Sequence, residues 1–248
     1  MNDEERELEE YLELTDCLSK ETFESQEKMR SFLLTLSKMY NTSYSNILLL
    51  KYQKEEVSLI MDRDEISKYG FTIKEKEEPL KVIKRVKTED EVKFVLSEVF
   101  DISQTDAVKE KENTYSKEYI ESMLKGMCAR RGLQFEPENP ILNLQTVVMN
   151  IRDNSRAGNF NVINVDEYAK QTTAEIDATV FSVAKRLNIN TRNYNLNDIC
   201  KWGIDKDTKT LKESLKYMQK FTNYFVKDFQ TQEKLNNLEN EKNEEEFE

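Results

Sequence analysis

The sequence predicts an α+β protein: N-terminal helices packed on a small, mainly antiparallel sheet, followed by a mostly helical second part. Three observations predict this class. Apolar residues recur at helical spacing over most of the chain. A group of short apolar runs, rich in β-branched residues, lies between residues 57 and 100. Five glycines and three prolines in 248 residues are too few for a turn-rich β fold.

The elements follow in order. Residues 3–18 read as an acidic amphipathic helix with Leu8, Tyr11 and Leu12 on one side. Residues 22–40 form a stronger helix, in which Phe23, Met29, Phe32, Leu33, Leu36 and Met39 recur at helical spacing. Thr42 or Ser43 can cap a third helix that runs through Ile47-Leu48-Leu49-Leu50 to Gln53. Residues 57–61 fit a buried strand, and 63–69 a helical turn closed by Gly70. Residues 71–73, 80–86 and 92–100 read as further strands. The composition changes after Thr105. Residues 106–113 are charged and lack an apolar face, which places a linker there. Helices are then predicted over 116–131, 141–152, 165–187, 196–202 and 209–238. The domain plan is thus an acidic helical extension (1–20), a first domain (21–105), the linker (106–113), a helical domain (114–238) and a disordered acidic tail (239–248).

Composition excludes several classes. No apolar run approaches the roughly 18–20 residues of a membrane span, and the acidic N-terminus has no signal-peptide pattern. The three widely spaced cysteines (Cys17, Cys128, Cys200) read as reduced thiols, consistent with a cytoplasmic protein. The net charge of −11 resides in the ends: residues 1–20 carry 8 acids and 2 bases, and residues 231–248 carry 7 acids and 2 bases. The body between them is neutral, with 33 of each, so the usual objection to an acidic protein binding nucleic acid applies mainly to the ends. The absence of histidine rules out Ser-His-Asp and Cys-His catalysis, and there is no Gly-rich phosphate loop. An enzyme is not expected, and neither is a cofactor or a bound metal.

Two polar islands stand out against this background. One is Tyr44-Ser45-Asn46, followed by Gln53; the other is Val99-Phe100-Asp101-Ile102-Ser103-Gln104-Thr105. Helix capping accounts for Ser43 or Ser45. It does not account for Asn46, ahead of four apolar residues, and a buried Asn needs partners. Gln53 is seven residues on and shares its helical face, and Asp101, Ser103 and Gln104 are candidate partners. Between the islands, Lys81, Lys84, Arg85 and Lys87 cluster on one strand, with Lys74 and Lys76 just before it. Such a strand suits a polyanion, with Tyr40, Tyr44, Tyr52, Tyr69 and Phe71 as stacking surfaces. Basic residues on an edge strand also serve to block aggregation.

The islands, in this order and separation, resemble the N-terminal domain of the ArdC/LtrC-type antirestriction proteins of plasmids and conjugative elements. The final motif, Phe100-Asp101-Ile102-Ser103-Gln104-Thr105, is the best match. The segment from Asp64 to Lys74 looks like the family's middle motif, with Ile66 in place of its Trp, Phe71 in place of its Arg and Lys76 in place of its second Gly. The resemblance covers residues 22–105 and implies single-stranded DNA binding. Together with the basic cluster, this makes Tyr44, Ser45, Asn46, Gln53, Lys74, Lys81, Lys84, Arg85, Lys87, Gln104 and Thr105 the candidate DNA-binding residues.

The family's second domain is a zinc metallopeptidase with a His-Glu-x-x-His helix and a downstream Glu. Residues 173–202 look like the downstream segment, with Glu175 at the position of the third ligand and Asn188 in place of a glycine. The helix at the place of His-Glu-x-x-His contains Gln145 to Asp153 and neither a histidine nor a glutamate. The resemblance therefore implies a degenerate peptidase-like domain. The stripe Leu211, Leu215, Met218, Phe221, Phe225 and Phe229 fits either core or a homodimer seam. The sequence reading is a non-enzymatic single-stranded-DNA-binding, antirestriction-like accessory protein of a mobile element or phage. The rival reading is an adaptor that binds a protein partner through its helical domain or acidic ends.

Overall fold

The computed structural model describes residues 2–87, 91–108, 115–156 and 165–245. Helix α1 (Asp3–Glu24) starts at a capping box, in which Asn2 and Glu5 satisfy each other's backbone amides. It runs six residues past the predicted end, because Ser19 and Thr22 bond back to carbonyls one turn earlier instead of breaking the helix. The break falls at Ser25, whose hydroxyl accepts from Lys28 N and starts α2 (Gln26–Lys38). Helix α1 is no appendage: it packs on α2 and buries Phe23 edge-on to Trp202, with ring centroids 5.8 Å apart. Gly203 permits that approach, since a Cβ there would lie 2.4 Å from the Phe23 ring.

Ser43 caps α3 (Tyr44–Gln53). A two-stranded hairpin follows, β2 (Leu80–Lys87) against β3 (Val92–Asp101), in antiparallel register from Leu80↔Val99 to Lys87↔Val92. Short β1 (Ile60–Met61) joins the other side of β3, giving the order β1-β3-β2. Two predicted strands are shorter than expected. Residues 57–59 leave the ladder because the Ser58 and Leu59 amides turn to the Asp101 carboxylate. Residues 71–73 contribute only the isolated bridge Ile73↔Thr105. Between them, α4 (Arg63–Lys68) closes at Gly70, whose φ of +76° is the left-handed conformation expected there.

The helical half contains α5 (Lys117–Arg130), α6 (Pro140–Arg156), α7 (Val165–Arg186), α8 (Asn197–Gly203) and α9 (Thr208–Glu245). Helix α9 continues to Glu245, so residues 239–245 are helical and not the disordered tail expected; 246–248 lie outside the described residues. Glu, Lys and Asn without Gly or Pro leave nothing in that stretch to end a helix. Asn188 follows α7 with φ +56°. The Ile189 amide reaches back to the Ala184 carbonyl, so Asn takes the left-handed position of a helix-ending glycine.

The predicted linker divides the chain but not the core. Residues 109–113 of it lie outside the described residues. One apolar cluster unites Phe32, Leu36, Ile47, Val82 and Val99 of the first part with Phe181, Trp202, Leu215 and Met218 of the second. A second cluster joins Met123, Met127, Val147, Val148, Val180, Val183, Phe221, Phe225 and Phe229. Helices α7 and α9 run through both clusters. The α9 stripe is therefore core, which answers the choice between core and dimer seam.

Candidate nucleic-acid interface

Strand β2 is an edge strand, and α3 covers that edge with two carboxamides. Asn46 donates to the Ile83 carbonyl at 2.9 Å and accepts from its amide at 2.8 Å. Gln53 does the same for Lys81, at 2.9 and 2.8 Å. Seven residues of helix place the two amides on one face, and two residues of strand present the next outward-facing backbone pair. The partners expected for Asn46 were Asp101, Ser103 and Gln104; the partner is β2. Asn46 and Gln53 act as a substitute strand, so their polar atoms are engaged within the protein.

The second island is equally inward. Asp101 is buried and accepts from the amides of Ser58, Leu59 and Ser103 at 2.7, 3.1 and 3.0 Å. Burial pushes its carboxyl up, but these bonds and the Ser103 hydroxyl outweigh it and hold the carboxyl below its usual range. Gln104 accepts from Asp101 N and donates to Glu77 and to the Glu78 carbonyl, tying the entry of β2 to the exit of β3. Thr105 is buried and its hydroxyl donates to the Ile102 carbonyl. Gln104 and Thr105 are thus turn-forming groups withdrawn from any ligand. Tyr44 is half-buried against the first core, and desolvation, with Asp16 nearby, raises its phenol to about 12. Ser45 bonds the capping Ser43 hydroxyl at 3.1 Å.

The basic residues divide into two groups. Lys74 Nζ donates to the Ser103 carbonyl at 2.8 Å. Lys81 pairs with Glu7 of α1, which raises the ammonium pKa. Lys84 lies 3.5 Å from Asp62. Arg85 and Lys87 are exposed and make no ion pair among the described residues. They lie where the hairpin projects beyond the core and both strands become solvent-exposed. Register places Phe94 directly across from Arg85, and Val92 across from Lys87, so all four side chains share one face. Phe94 is 55% exposed. The opposite face of the same arm carries Lys84, Val86, Lys93 and Val95. The signal for Phe94 in the sequence is only its period-two position in β3, and the face it takes depends on the pairing register.

Comparison with protein-family models finds no match, and neither does a sequence comparison with curated proteins. Comparison of folds does. The Mn(II)-bound crystal structure of the antirestriction protein ArdC from plasmid R388 superposes with a TM-score of 0.53 at 9% identity, covering 88% of this chain and 97% of that one. The chain has the ArdC fold. The metal-free structure of the same protein covers 88% and 98% with a TM-score of 0.49 at 13% identity.

The first of these ArdC structures is Mn(II)-bound. Among the described residues no group of three or more His, Cys, Asp or Glu side chains comes together in a way that could hold an ion. Glu175, the residue that the ArdC resemblance places at a ligand position, is fully buried in α7. Its carboxylate accepts from Ser214 at 2.8 Å and from Gln171 at 3.0 Å. The guanidinium of Arg152, on α6, lies 3.8 Å away. Arg152 is itself buried, donates to Thr172 at 2.5 Å and lies over the Tyr168 ring at 5.0 Å. A side-chain cation already compensates this carboxylate, so the residues present do not fit a metal. Glu175 is marked by its motif, whereas Arg152 sits in an ordinary amphipathic helix that gives it no local signal.

Proposed function

We propose that this protein is a non-catalytic, cytoplasmic single-stranded-DNA-binding accessory protein of the antirestriction type, carried by a plasmid, conjugative element or phage. One observation carries the reading: the β2–β3 arm projects from the core with Arg85 and Lys87 beside exposed Phe94. An exposed aromatic face beside cations that make no ion pair among the described residues is the arrangement that stacks bases and follows a phosphate backbone. The ArdC fold supports the same direction. Of the predicted residues, Arg85 and Lys87 contact the strand directly, while Lys84 lies on the opposite face of the arm beside Asp62. Asn46, Gln53, Gln104 and Thr105 hold the arm in place. The helical half serves as a scaffold without peptidase chemistry, in keeping with a chain that has no histidine.

The test is fluorescence anisotropy with a labelled single strand of roughly 20 nucleotides and its duplex, over a salt series. Preference for the single strand, lost in Arg85→Glu/Lys87→Glu, is the expected result. Unchanged affinity in the folded variant would overturn it. Incubation with denatured casein and Mn(II) or Zn(II) tests the non-catalytic part, and cleavage would refute it.

A second reading has one observation in its favour. Residues 80–101 carry five bases and five acids, and the arm exposes Val86, Val92 and Val95 as well as Phe94. A charge-balanced apolar arm also suits a protein partner. Absence of DNA binding at low salt would favour this adaptor reading.

A further inference from the structure

The helical half contains a groove that the arm does not explain. It lies between the C-terminal end of α5, the C-terminal part of α6 and Tyr224 of α9, and has a volume of about 500 Å³. Arg130, Arg131, Asn150, Asn154 and Tyr224 line it, with Ile151 as its apolar member; no carboxylate is in the lining. Arginines at a helix C-terminus are ordinary, since they face its unpaired carbonyls. What goes beyond that role is how these two are held.

Asp228 of α9 sits between them. It lies 3.1 Å from Arg130 Nη2 and 2.7 Å from Arg131 Nη2. Arg130 Nε also donates to Gln232 at 2.6 Å, and Arg131 Nη1 to the Met127 carbonyl at 3.1 Å. One carboxylate thus orients two guanidiniums and neutralises only one of them. Each guanidinium has five N–H donors. Among the described residues, Arg130 Nη1 and Arg131 Nε have no hydrogen-bond partner, and both side chains line the groove. Their rotamers are already set, so a bound anion orders little further. Beside them the Tyr224 ring is 42% exposed, and the Lys220 ammonium lies 5.4 Å from its centroid.

We propose that this groove binds one nucleotide unit, with the phosphate on Arg130 and Arg131 and the base on the face of Tyr224. Planar donors match phosphate oxygens in pairs, and an aromatic face accepts any base. The unit belongs either to a bound single strand or to a free nucleotide. The first case deepens the single-stranded-DNA reading and rests on it; the second does not.

The experiment uses the full chain, a labelled dT20 single strand, and dTMP and inorganic phosphate as competitors. Three variants are compared with the unaltered protein: Arg130→Gln/Arg131→Gln, Tyr224→Ala and Lys220→Glu. Thermal unfolding confirms that each is folded, and Lys220→Glu keeps the test informative if the double arginine variant is not. The expected result is a loss of dT20 affinity of about tenfold in the arginine variant, with a salt slope shallower by about 0.7 for the one lost phosphate contact. Tyr224→Ala loses affinity with the slope unchanged. If the arm variant Arg85→Glu/Lys87→Glu loses dT20 while folded groove variants bind normally, the groove proposal falls and the DNA reading stands. If the unaltered protein ignores dT20 but binds dTMP in an arginine-dependent way, the groove stands and the DNA reading falls. Binding of neither by any form overturns both.

Discussion

The Asn46 carboxamide pairs with Ile83 as a neighbouring strand would, exchanging one N–H and one carbonyl in each direction at 2.9 and 2.8 Å. Gln53 repeats the contact at Lys81. A sheet edge that would otherwise invite another chain is thereby closed by a helix.

This relationship predicts the cost of losing it. Asn46→Asp keeps the shape but removes the donor and sets a carboxylate oxygen against the Ile83 carbonyl. Its unfolding free energy in urea should fall by about 1–3 kcal/mol. Asn46→Leu, which leaves both backbone groups bare, should also self-associate in size-exclusion chromatography. A folded, monomeric Asn46→Leu of normal stability would show that the edge needs no cover.

Asp101 gives the protein an acid-sensitive joint. Its folded carboxyl titrates below the usual range, so its contribution is fully present above the unfolded value near 4 and is lost as pH falls through the lower folded value. Asp101→Asn should destabilise by about 1.5–3 kcal/mol at pH 7, since hydrogen bonds to a charged group are removed. The gap between the two proteins should shrink on acidification below pH 4. A constant gap from pH 7 to pH 3, measured by denaturant titration, would assign the loss to packing instead.

The Arg152–Glu175 pair is buried on both sides. Arg152→Met removes the cation beside a buried carboxylate and should cost about 3–5 kcal/mol, whereas Arg152→Met/Glu175→Met should recover much of that loss. A double-mutant cycle in urea measures the coupling. Neither Mn(II) nor EDTA should move the unfolding midpoint of the unaltered protein. A midpoint raised by Mn(II) would show that the carboxylate is open to a metal after all.

Phe94 separates binding from stability. It is 55% exposed, so Phe94→Ala should change unfolding free energy by no more than about 0.5 kcal/mol. If it stacks a base, single-strand affinity should fall by about 1–3 kcal/mol with the salt slope unaltered. Equal affinity would remove Phe94 from the interface and leave the arm to its charges.

Local chemistry determined much of this protein from the chain alone. Helical spacing located all nine α-helices of the described residues to within a few positions, apart from the junction at Ser25 and the end of α9. The cap at Ser43, one of two candidates, and the left-handed Gly70 were equally legible, because caps and turns depend on near neighbours. The Phe100–Thr105 motif and the islands around it also led to the ArdC fold. The tertiary structure decided what those polar residues do. Asn46 and Gln53 look alike whether they face DNA or a strand 28 to 37 residues away, and only the fold brings the β2 edge to them. Burial of the α9 stripe, the pairing of Lys81 with Glu7 and the meeting of Arg152 with Glu175 likewise join distant segments. Periodicity says which face of an element is apolar; which partner covers it is a property of the whole packed chain.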